Sequence, residues 1–528
     1  MTRQHVSSKP RVALAALAVA ALFTVASPVR TVRADEIVSH PDKLTFQPFS
    51  YVAPKAADHR VKLGSGVAAY LVPDHTTPLV TITVIMRMGS PLEPAGKEGL
   101  ASATASQLTR GGTASMTAEQ VEARVAQLGA TLESGVGGGF GGGFFGGGVP
   151  LTNAEGRASV TVLAKDLDEG LGLLTACLRS PAFQADRLKL WKDQQLQAMK
   201  SRNDESSNIE EREWNVLQNG ADHWSNHFTT KASIEGLSAD DLKAFQKRYV
   251  GPRNFVVAVS GDFDRATMVK RLEKAFSGWP TAGERPPAPA APAPRAAHAG
   301  WFMVDKDVNQ GRVSIGLPTI DRYDPDYAAA RIMNDILGGG GFTSWLVNRI
   351  RSDEGLAYSV NSSLPGGAYY PASWRLVYQS KVRSVAYATQ LAFEQIRRMR
   401  DTLVTAEELQ ASREKFVQSL PVQFETAGSI AGVLAADEAT GRYEKDPSYY
   451  ADYAKRLNAV TPADVQRVAR RLLDPARMSV LMVGNAKDML LGDPKHDASI
   501  PKLAGGALTM LPLRDPFTMK PMEAAATK

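Results

Sequence analysis

The sequence repeats itself at a spacing of nearly half its length. One segment begins at Leu237 and reads LSADDLKAFQKRYVGPRNFVVAVSG, and a second begins at Val460 and reads VTPADVQRVARRLLDPARMSVLMVG. Each copy opens with a Ser or Thr three residues before an Asp, which is typical of a helix N-terminus. Each then continues through an amphipathic helix, a proline and a β-branched strand. The copies start 460 − 237 = 223 residues apart in a chain of 528, and this spacing predicts two related domains.

Other strands and helices recur in the same order in both halves. β-branched runs at 81–86 and 312–317 each lead into a helical pattern, and second strands at 158–164 and 374–379 are again followed by helices. This order predicts an α+β fold of two homologous domains, each a mostly antiparallel sheet with helices packed on one face, which together enclose a cavity. The alternative is a chance similarity between amphipathic helices.

Composition places the predicted boundaries. Residues 280–298 are rich in Pro and Ala and cannot form a core, so they predict a semi-rigid linker. The linker separates an N-terminal domain at 35–279 from a C-terminal domain at 299–494. The tail at 495–528 has no periodicity, and we predict that it is extended or partly ordered.

The first 34 residues predict an export signal. Three basic residues precede an apolar run at 12–26, which is short for a membrane span. Cleavage after Ala34 would leave a mature chain without a stable membrane span, in the periplasm or outside the cell. A retained anchor is the alternative.

Net charge argues against nucleic acid as a partner. The chain has 61 basic and 55 acidic residues, a net charge of +6. The leader holds five basic residues and no acid, so the mature chain has 61 − 5 = 56 basic residues against 55 acidic ones. A balanced chain does not bind nucleic acid through bulk charge. The single cysteine, Cys177, cannot form an internal disulfide.

Four phrases of the sequence stand out together. They read VTITVIMRMGSPLEPAGKEGLA from Val80, VAVSGDFD and VLMVGNAKD at the ends of the two repeats, and GGGGFTSWLVNRIRSDEGLAYSV from Gly338. In combination they resemble the insulinase/pitrilysin-type zinc metallopeptidases, especially the forms related to mitochondrial processing peptidase. The resemblance covers residues 62–491.

The resemblance also shows what this chain lacks. Active members carry H-x-x-E-H on the helix after the Gly-Leu-Ala phrase, where two histidines bind zinc and the glutamate activates water. The matching positions here read SATAS, and the later glutamate ligand is matched by an alanine. A serine hydroxyl is a poor zinc ligand and alanine accepts no proton. We therefore predict no metal or other cofactor in this chain, with degenerate positions at Ser102, Ala105, Ser106 and Ala198.

His223 and His227 offer the one alternative metal pair, because their spacing would place them on one face of a helix. No carboxylate lies between them, and the residues around them read as a polar turn. A surface or loop role is the other interpretation.

The second half retains residues that the resemblance connects with substrate. It implies that Arg351 and Tyr358 face the catalytic cavity and support catalysis in trans, by holding the peptide and stabilising the transition state. It also implies substrate binding by the glycine loop and the next residue, namely Gly338, Gly339, Gly340, Gly341 and Phe342. The alternative is that Arg351 forms a surface salt bridge and Tyr358 packs in the core. Trp345 departs from the family pattern, which favours a polar or basic residue there.

A second glycine run, at 135–148, has no counterpart in the resemblance. It contains three phenylalanines and no phosphate-loop lysine. A Phe-bearing flap and a disordered hairpin insertion are the two interpretations.

These observations predict a non-catalytic subunit of a heterodimeric insulinase-type metallopeptidase. It would bind a peptide or unfolded protein and supply Arg351 and Tyr358 to a homologous partner that carries the zinc. The alternative is a stand-alone peptide-binding or scaffold protein of the cell envelope.

Overall fold

The computed structural model describes residues 51–137, 151–280, 283–293 and 297–522. The predicted export signal and most of the second glycine run, including its phenylalanines, lie outside these residues. Within the described residues, no helix is long and apolar enough to cross a membrane.

The first half forms a six-stranded sheet with the strand order β1-β2-β6-β3-β5-β4. Only β2 and β6 run parallel, and every other neighbouring pair is antiparallel. The strands are β1 Arg60–Lys62, β2 Ala68–Pro73, β3 Leu79–Arg87, β4 Thr131–Val136, β5 Glu155–Leu163 and β6 Phe255–Gly261.

The second half forms another six-stranded sheet, with the order β12-β7-β11-β8-β10-β9. Five of its strands take the positions of β2 to β6, whereas the outer edge strand β12 comes from the end of the chain instead of the beginning. The predicted pair of homologous α+β domains is confirmed. The strands are β7 Gly300–Asp305, β8 Gln310–Ile320, β9 Ala357–Ser363, β10 Ala372–Lys381, β11 Ser479–Gly484 and β12 Leu508–Leu511.

Helices connect the strands in both halves. Those of the first half are α1 Ala56–His59, α2 Leu100–Arg110, α3 Ala118–Gln127, α4 Leu167–Arg179, α5 Ala185–Lys200, α6 Ser206–Asn219, α7 Lys231–Glu235, α8 Ala239–Tyr249 and α9 Arg265–Phe276. Those of the second half are α10 Tyr327–Asn334, α11 Val385–Asp401, α12 Ala406–Ser419, α13 Ala427–Ala439, α14 Arg442–Lys445, α15 Tyr453–Asn458, α16 Pro462–Leu472, α17 Ala486–Leu491 and α18 Ile500–Leu503. Two π-helical segments, Asp335–Gly339 and Val347–Asp353, follow α10.

The repeated helices begin as the sequence predicts. Ser238 accepts a hydrogen bond from the Asp241 N–H at the start of α8, and Asp241 accepts one from the Ser238 N–H in return. Thr461 and Asp464 form the same reciprocal pair at the start of α16. Each pair satisfies two backbone groups that a helix end leaves without partners.

Each sheet packs one face against helices of its own half. Along β3, Val80, Ile82 and Val84 alternate toward the core that contains α2, α4 and α8, because strand side chains alternate between the faces. In the second sheet, Val313 and Ile315 of β8 pack in the same way against α10, α11 and α16. The predicted helical layer is therefore present in both halves.

The other face of each sheet is covered by a helix from the opposite half. Helix α6 packs Ile209, Trp214 and Leu217 on β7 and β11 of the second sheet. Helix α13 lies on the first sheet, where Tyr70 and Ile85 join its alanines and Leu434 in one core. We call α6 and α13 the exchanged helices.

A glutamate anchors each exchanged helix. On α6, Glu210 is 1% exposed and accepts hydrogen bonds from Ser314 Oγ at 2.6 Å and Arg312 Nε at 2.5 Å. On α13, Glu438 accepts two hydrogen bonds from Arg60, each 2.9 Å, and one from the Tyr70 hydroxyl at 2.6 Å.

The tail is more ordered than a featureless sequence suggests. It contributes α18 and the edge strand β12, which pairs parallel to β7. Beyond β12, Arg514 forms two hydrogen bonds with Glu213 of α6, at 2.8 and 3.0 Å. Residues 495–522 therefore include one short helix and one strand.

Candidate functional site

Helix α2 carries three of the degenerate metal positions. Ser102 is exposed and Ser106 is half-buried one turn later. Ala105 is fully buried, and its carbonyl accepts a 2.5 Å hydrogen bond from the Ser134 hydroxyl. The helix therefore offers hydroxyl and methyl groups where zinc would need imidazoles.

A cavity of about 260 Å³ lies beside Ser106, between α2, α3 and α5. From α5, Trp191 and Gln194 line this cavity. Ala198 lies one turn further along the helix and lines a separate depression. The structure thus brings Gln194, and not the predicted Ala198, into the same cavity as Ser106. A neutral carboxamide beside a serine hydroxyl does not fit zinc.

The alternative histidine pair does not converge on one point. The ring nitrogens of His223 lie 2.7 Å from Ser225 Oγ and 3.1 Å from the Ala290 carbonyl oxygen, and burial lowers the pKa of the ring. His227 Nε2 lies 3.1 Å from the Asp222 carbonyl oxygen. The two residues flank a short 3-10 turn rather than one face of an α-helix. Across the described parts of the chain, no group of three His, Cys, Asp or Glu side chains could hold a metal ion.

The structure brings together three of the residues that the resemblance connects with substrate. The Arg351 guanidinium lies 4.5 Å from the centre of the Phe342 ring and 5.0 Å from that of Tyr358. Both distances are typical of cation–π contact. Phe342 is 70% exposed and Tyr358 is 87% exposed, so the alternative in which Tyr358 packs in the core is wrong. We call Phe342, Arg351 and Tyr358 the Arg351 cluster.

Rigid elements hold the Arg351 cluster in place. Arg351 lies on the second π-helical segment, and Tyr358 lies near the start of β9. A tight turn joins them at Gly355, whose φ of +63° is a left-handed conformation that glycine adopts readily. The segments that support the cluster are packed. The local geometry of the turn places the cluster at the surface.

Most of the glycine loop serves the packing of the chain itself. A Cβ atom added at Gly338, Gly339 or Gly340 would come within 2.5, 2.5 and 2.6 Å, respectively, of atoms in neighbouring segments of this half. Gly341 differs, because it is exposed, has a φ of +72° and faces open space. Of the four predicted glycines, only Gly341 combines exposure with unobstructed space, and it precedes Phe342.

Trp345 lies inside the domain, away from any ligand surface. Its indole N–H donates a 2.6 Å hydrogen bond to Glu408, and the Arg398 guanidinium lies 3.8 Å from its ring centre. This departure from the family pattern therefore belongs to the packing of α11 and α12.

Equivalent helices of the two halves are preceded by carboxyl groups whose pKa values shift in opposite directions. Before α2, burial raises the pKa of Glu93 to about 7, although hydrogen bonds from the N–H groups of Ala101 and Gly99 oppose the shift. At the start of α10, hydrogen bonds from Arg467 lower the pKa of Asp326. Only the second carboxylate has a cation to stabilise its charge.

Family comparison agrees with this geometry. Residues 236–416, from just before α8 to α12, match the family described as the peptidase M16 inactive domain. This segment of the chain is similar to the M16 peptidases, and we call the protein the M16 homologue. The predicted relationship to the insulinase-type peptidases is confirmed, and the matched segment includes the Arg351 cluster.

Three relatives differ in how much of their length the M16 homologue matches. An uncharacterized zinc protease of Streptomyces coelicolor is 27% identical over 49% of this chain and 56% of its own length. The non-peptidase homolog YmxG of Helicobacter pylori is 27% identical over 50% of this chain and 60% of its own. An uncharacterized zinc protease of Rickettsia bellii is 22% identical over 81% of this chain and 97% of its own. The match thus spans little more than half of the first two proteins and almost all of the third.

Solved structures share the fold. A peptidase M16 inactive domain from Pseudomonas fluorescens superposes with a TM-score of 0.69 at 22% identity, over 80% of this chain and 97% of that one. A chain of complex III from Candida albicans superposes with a TM-score of 0.62 at 12% identity. The match covers 82% of this chain and 97% of that one. The ferredoxin protease FusC, solved as a mutant in complex with Arabidopsis ferredoxin, gives 0.61 at 13% identity, over 82% of this chain but 46% of its own. At these identities the likeness concerns the fold alone.

Proposed function

We propose that the M16 homologue is a non-catalytic peptidase subunit that binds a peptide or unfolded protein and completes the active site of a zinc-bearing homologue. Arg351 and Tyr358 would act in trans, by donating hydrogen bonds to the peptide carbonyl as negative charge develops on its oxygen. The zinc and the general base would come from the partner, since Ser102, Ser106 and Gln194 do not fit a metal.

The Arg351 cluster carries this proposal. Two exposed aromatic rings beside a half-buried guanidinium on a packed scaffold are unusual on a surface with no binding role. Aromatic residues and arginine are also the residue types that most often dominate protein interfaces. The cluster lies in the half that retains its motif, whereas the half that lacks its zinc ligands presents small hydroxyl and methyl groups.

Relative length supports a second chain. The M16 homologue covers 46% of the FusC chain, which was solved with a protein bound. A chain that corresponds to less than half of such a structure would need a second unit to form a comparable enclosure. Within this chain, α6 and α13 each cover one face of the sheet of the opposite half.

Replacement of Arg351 tests the proposal. The mature chain would be purified with the partner that accompanies it in the native host, and turnover of an unfolded protein substrate would be measured together with complex mass. Arg351→Ala should lower turnover by about a hundred- to a thousand-fold, as expected when one preorganised donor is lost. Tyr358→Phe should act in the same direction, with complex mass unchanged.

Arg349→Ala is the matched control. Arg349 lies two residues earlier on the same π-helical segment but pairs with Glu354, outside the cluster. It should leave turnover within about threefold, as expected for a partly exposed pair. Full turnover in an intact complex of the Arg351→Ala, Tyr358→Phe double variant would contradict the proposed role.

A scaffold role is the second candidate, and one observation favours it. The complex III chain has the same fold over 97% of its length within a respiratory assembly. Under this alternative, co-purification would yield a stable assembly without a zinc-bearing homologue. We also propose export, which N-terminal sequencing of the native protein would support by a start at Asp35.

A further inference from the structure

A second cavity, of about 460 Å³, lies in the C-terminal half and contains no residue of the Arg351 cluster. It opens between the start of α10, helix α15 and the start of α16. Four tyrosines contribute to its walls, at positions 323, 327, 449 and 453. Its size is within the range of pockets that hold small ligands.

Four carboxylates line this cavity, and each already has an arginine partner. The four carboxylates share three arginines, so these pairs leave one negative charge for the other cations around the cavity. The pairs are Asp324 with Arg471, Asp326 with Arg467, Asp446 with Arg456, and Asp464 with Arg467.

Three other cations line the same walls without such compensation. Among the residues that the structure describes, no carboxylate lies within ion-pair distance of Arg322, Arg331 or Lys445. Arg322 instead donates hydrogen bonds to the hydroxyl and carbonyl oxygens of Thr440. The cavity therefore carries an excess of positive charge.

Arg331 is the central cation of the three. Its guanidinium lies 4.3 Å from the ring centre of Phe416 and 5.3 Å from that of Tyr453. Tyr453 is 3% exposed, and its hydroxyl forms no hydrogen bond of good geometry with the described residues. Arg331 interacts with the Tyr453 hydroxyl. A planar guanidinium has five donors, and those that remain call for an oxygen acceptor.

We propose that this cavity binds the terminal carboxylate of a peptide and receives an apolar last side chain against its tyrosine walls. A carboxylate offers two coplanar oxygens, which match the guanidinium fork of Arg331. The aromatic walls offer apolar surface to the rest of the ligand. A free phosphate would leave these walls unused, and its second negative charge would face the four carboxylates nearby.

The site is distinct from the one proposed for catalysis in trans. Helix α10 contributes Tyr327 and Arg331 to the cavity and then continues into the glycine loop before Phe342. Binding at the cavity can nevertheless be measured on the mature chain alone, without a partner or turnover.

Calorimetric titration with acetyl-alanyl-phenylalanine tests the proposal, with its C-terminal amide and inorganic phosphate as comparison probes. The free acid should bind saturably and at least about tenfold more tightly than the amide, because the amide loses a charge-assisted hydrogen bond. Arg331→Gln should weaken binding of the acid at least about tenfold. Lys445→Gln, at the exposed rim, should weaken it about two- to fivefold.

Lys455→Gln is the matched control, because this exposed lysine of α15 carries the same charge and does not line the cavity. It should leave affinity unchanged. If Arg331→Gln is unfolded by circular dichroism, Tyr453→Phe and Lys445→Gln provide the test. Equal affinity for acid and amide, binding of phosphate only, or no binding of the acid would each overturn the proposal.

Discussion

The two halves of the M16 homologue share a sheet order but differ in what they present to a ligand. In the first half, α2 carries Ser102, Ala105 and Ser106, whose hydroxyl and methyl groups are poor zinc ligands. In the second half, the loop after α10 and strand β9 present the Arg351 cluster. The scaffold is duplicated, whereas the Arg351 cluster belongs to the second half alone among the described residues.

Serines at the positions where zinc ligands are expected are compatible with the surrounding fold. The positions on α2 that would face zinc are exposed or half-buried, so serine there affects packing little. Ala105 is buried and small, which suits a close approach to the sheet. The core includes five apolar residues of α2, namely Leu100, Ala101, Ala103, Ala105 and Leu108.

Rebuilding a metal site in the first half is the strongest test of this difference. Ser102→His and Ser106→His combined with Gln194→Glu should bind about one zinc per chain with a dissociation constant of about 1 μM, or about 8 kcal/mol. Metal analysis and calorimetry would check this. The structure favours the combination because Gln194 shares a cavity with Ser106.

The control places the same carboxylate one turn away. Ser102→His and Ser106→His with Ala198→Glu should bind zinc at least about tenfold more weakly, since Ala198 lies outside that cavity. Equal affinity in the two triple variants would contradict our assignment of Gln194.

The exchanged helices allow the halves to be compared in stability. Glu210→Ala should lower the free energy of unfolding by about 3–5 kcal/mol, because it leaves Arg312 without its carboxylate beside a buried cavity. Glu438→Ala should lower it by about 1–3 kcal/mol, because Arg60 is partly exposed. Chemical denaturation would measure both.

Glu211→Ala is the control for the larger of these effects. Glu211 lies beside Glu210 on α6 and pairs with Arg375, but its side chain is mostly exposed. Its replacement should cost no more than about 1 kcal/mol. An equal loss of unfolding free energy in the Glu210 and Glu211 variants would show that the burial of the glutamate does not determine its contribution to stability.

The carboxylates that precede α2 and α10 predict pH effects of opposite sign. The folded pKa of Glu93 is about 7, above its unfolded value of about 4.3, so its contribution to stability is present below pH 4.3 and is lost as pH rises towards 7. Glu93→Gln should therefore gain about 1–3 kcal/mol relative to wild type between pH 5 and pH 8. Denaturation of both proteins across this range would measure the difference.

Asp326 supplies the opposite case. Its pKa is lowered in the folded state, so its contribution is present above an unfolded pKa of about 3.9 and is lost as pH falls. Asp326→Asn should be destabilised at pH 7, and the destabilisation should shrink at pH 3. A parallel pH response in the Glu93 and Asp326 variants would contradict the assigned states.

Sequence reasoning predicted the repeated elements because local patterns encode them. The runs at 81–86 and 312–317 lie within β3 and β8, and both repeated helices begin with the expected reciprocal cap. The exchange of α6 and α13 could not be predicted, since an amphipathic helix does not specify which sheet it will cover. Edge strand β12 was missed for a similar reason, because four residues carry too little pattern.

The candidate site was predicted less completely than the fold. The grouping of Arg351 with Tyr358 was expected, but the contact with Phe342 and the exposure of Tyr358 depend on a π-helical segment and a turn that spacing does not encode. Gln194 was missed because a shift of one helical turn preserves the amphipathic pattern of α5. Which of Ala198 and Gln194 lies beside Ser106 is decided by the packing of α5 on α2.

The exchange of helices also determines how the molecule loses its structure. Either half without the other would leave one face of its sheet bare, with Tyr70 and Ile85 or Val304 and Leu481 in water. Unfolding should therefore be a single cooperative transition in which both halves melt together. A fragment that contains only one sheet should aggregate, since an uncovered apolar face associates with others of its kind.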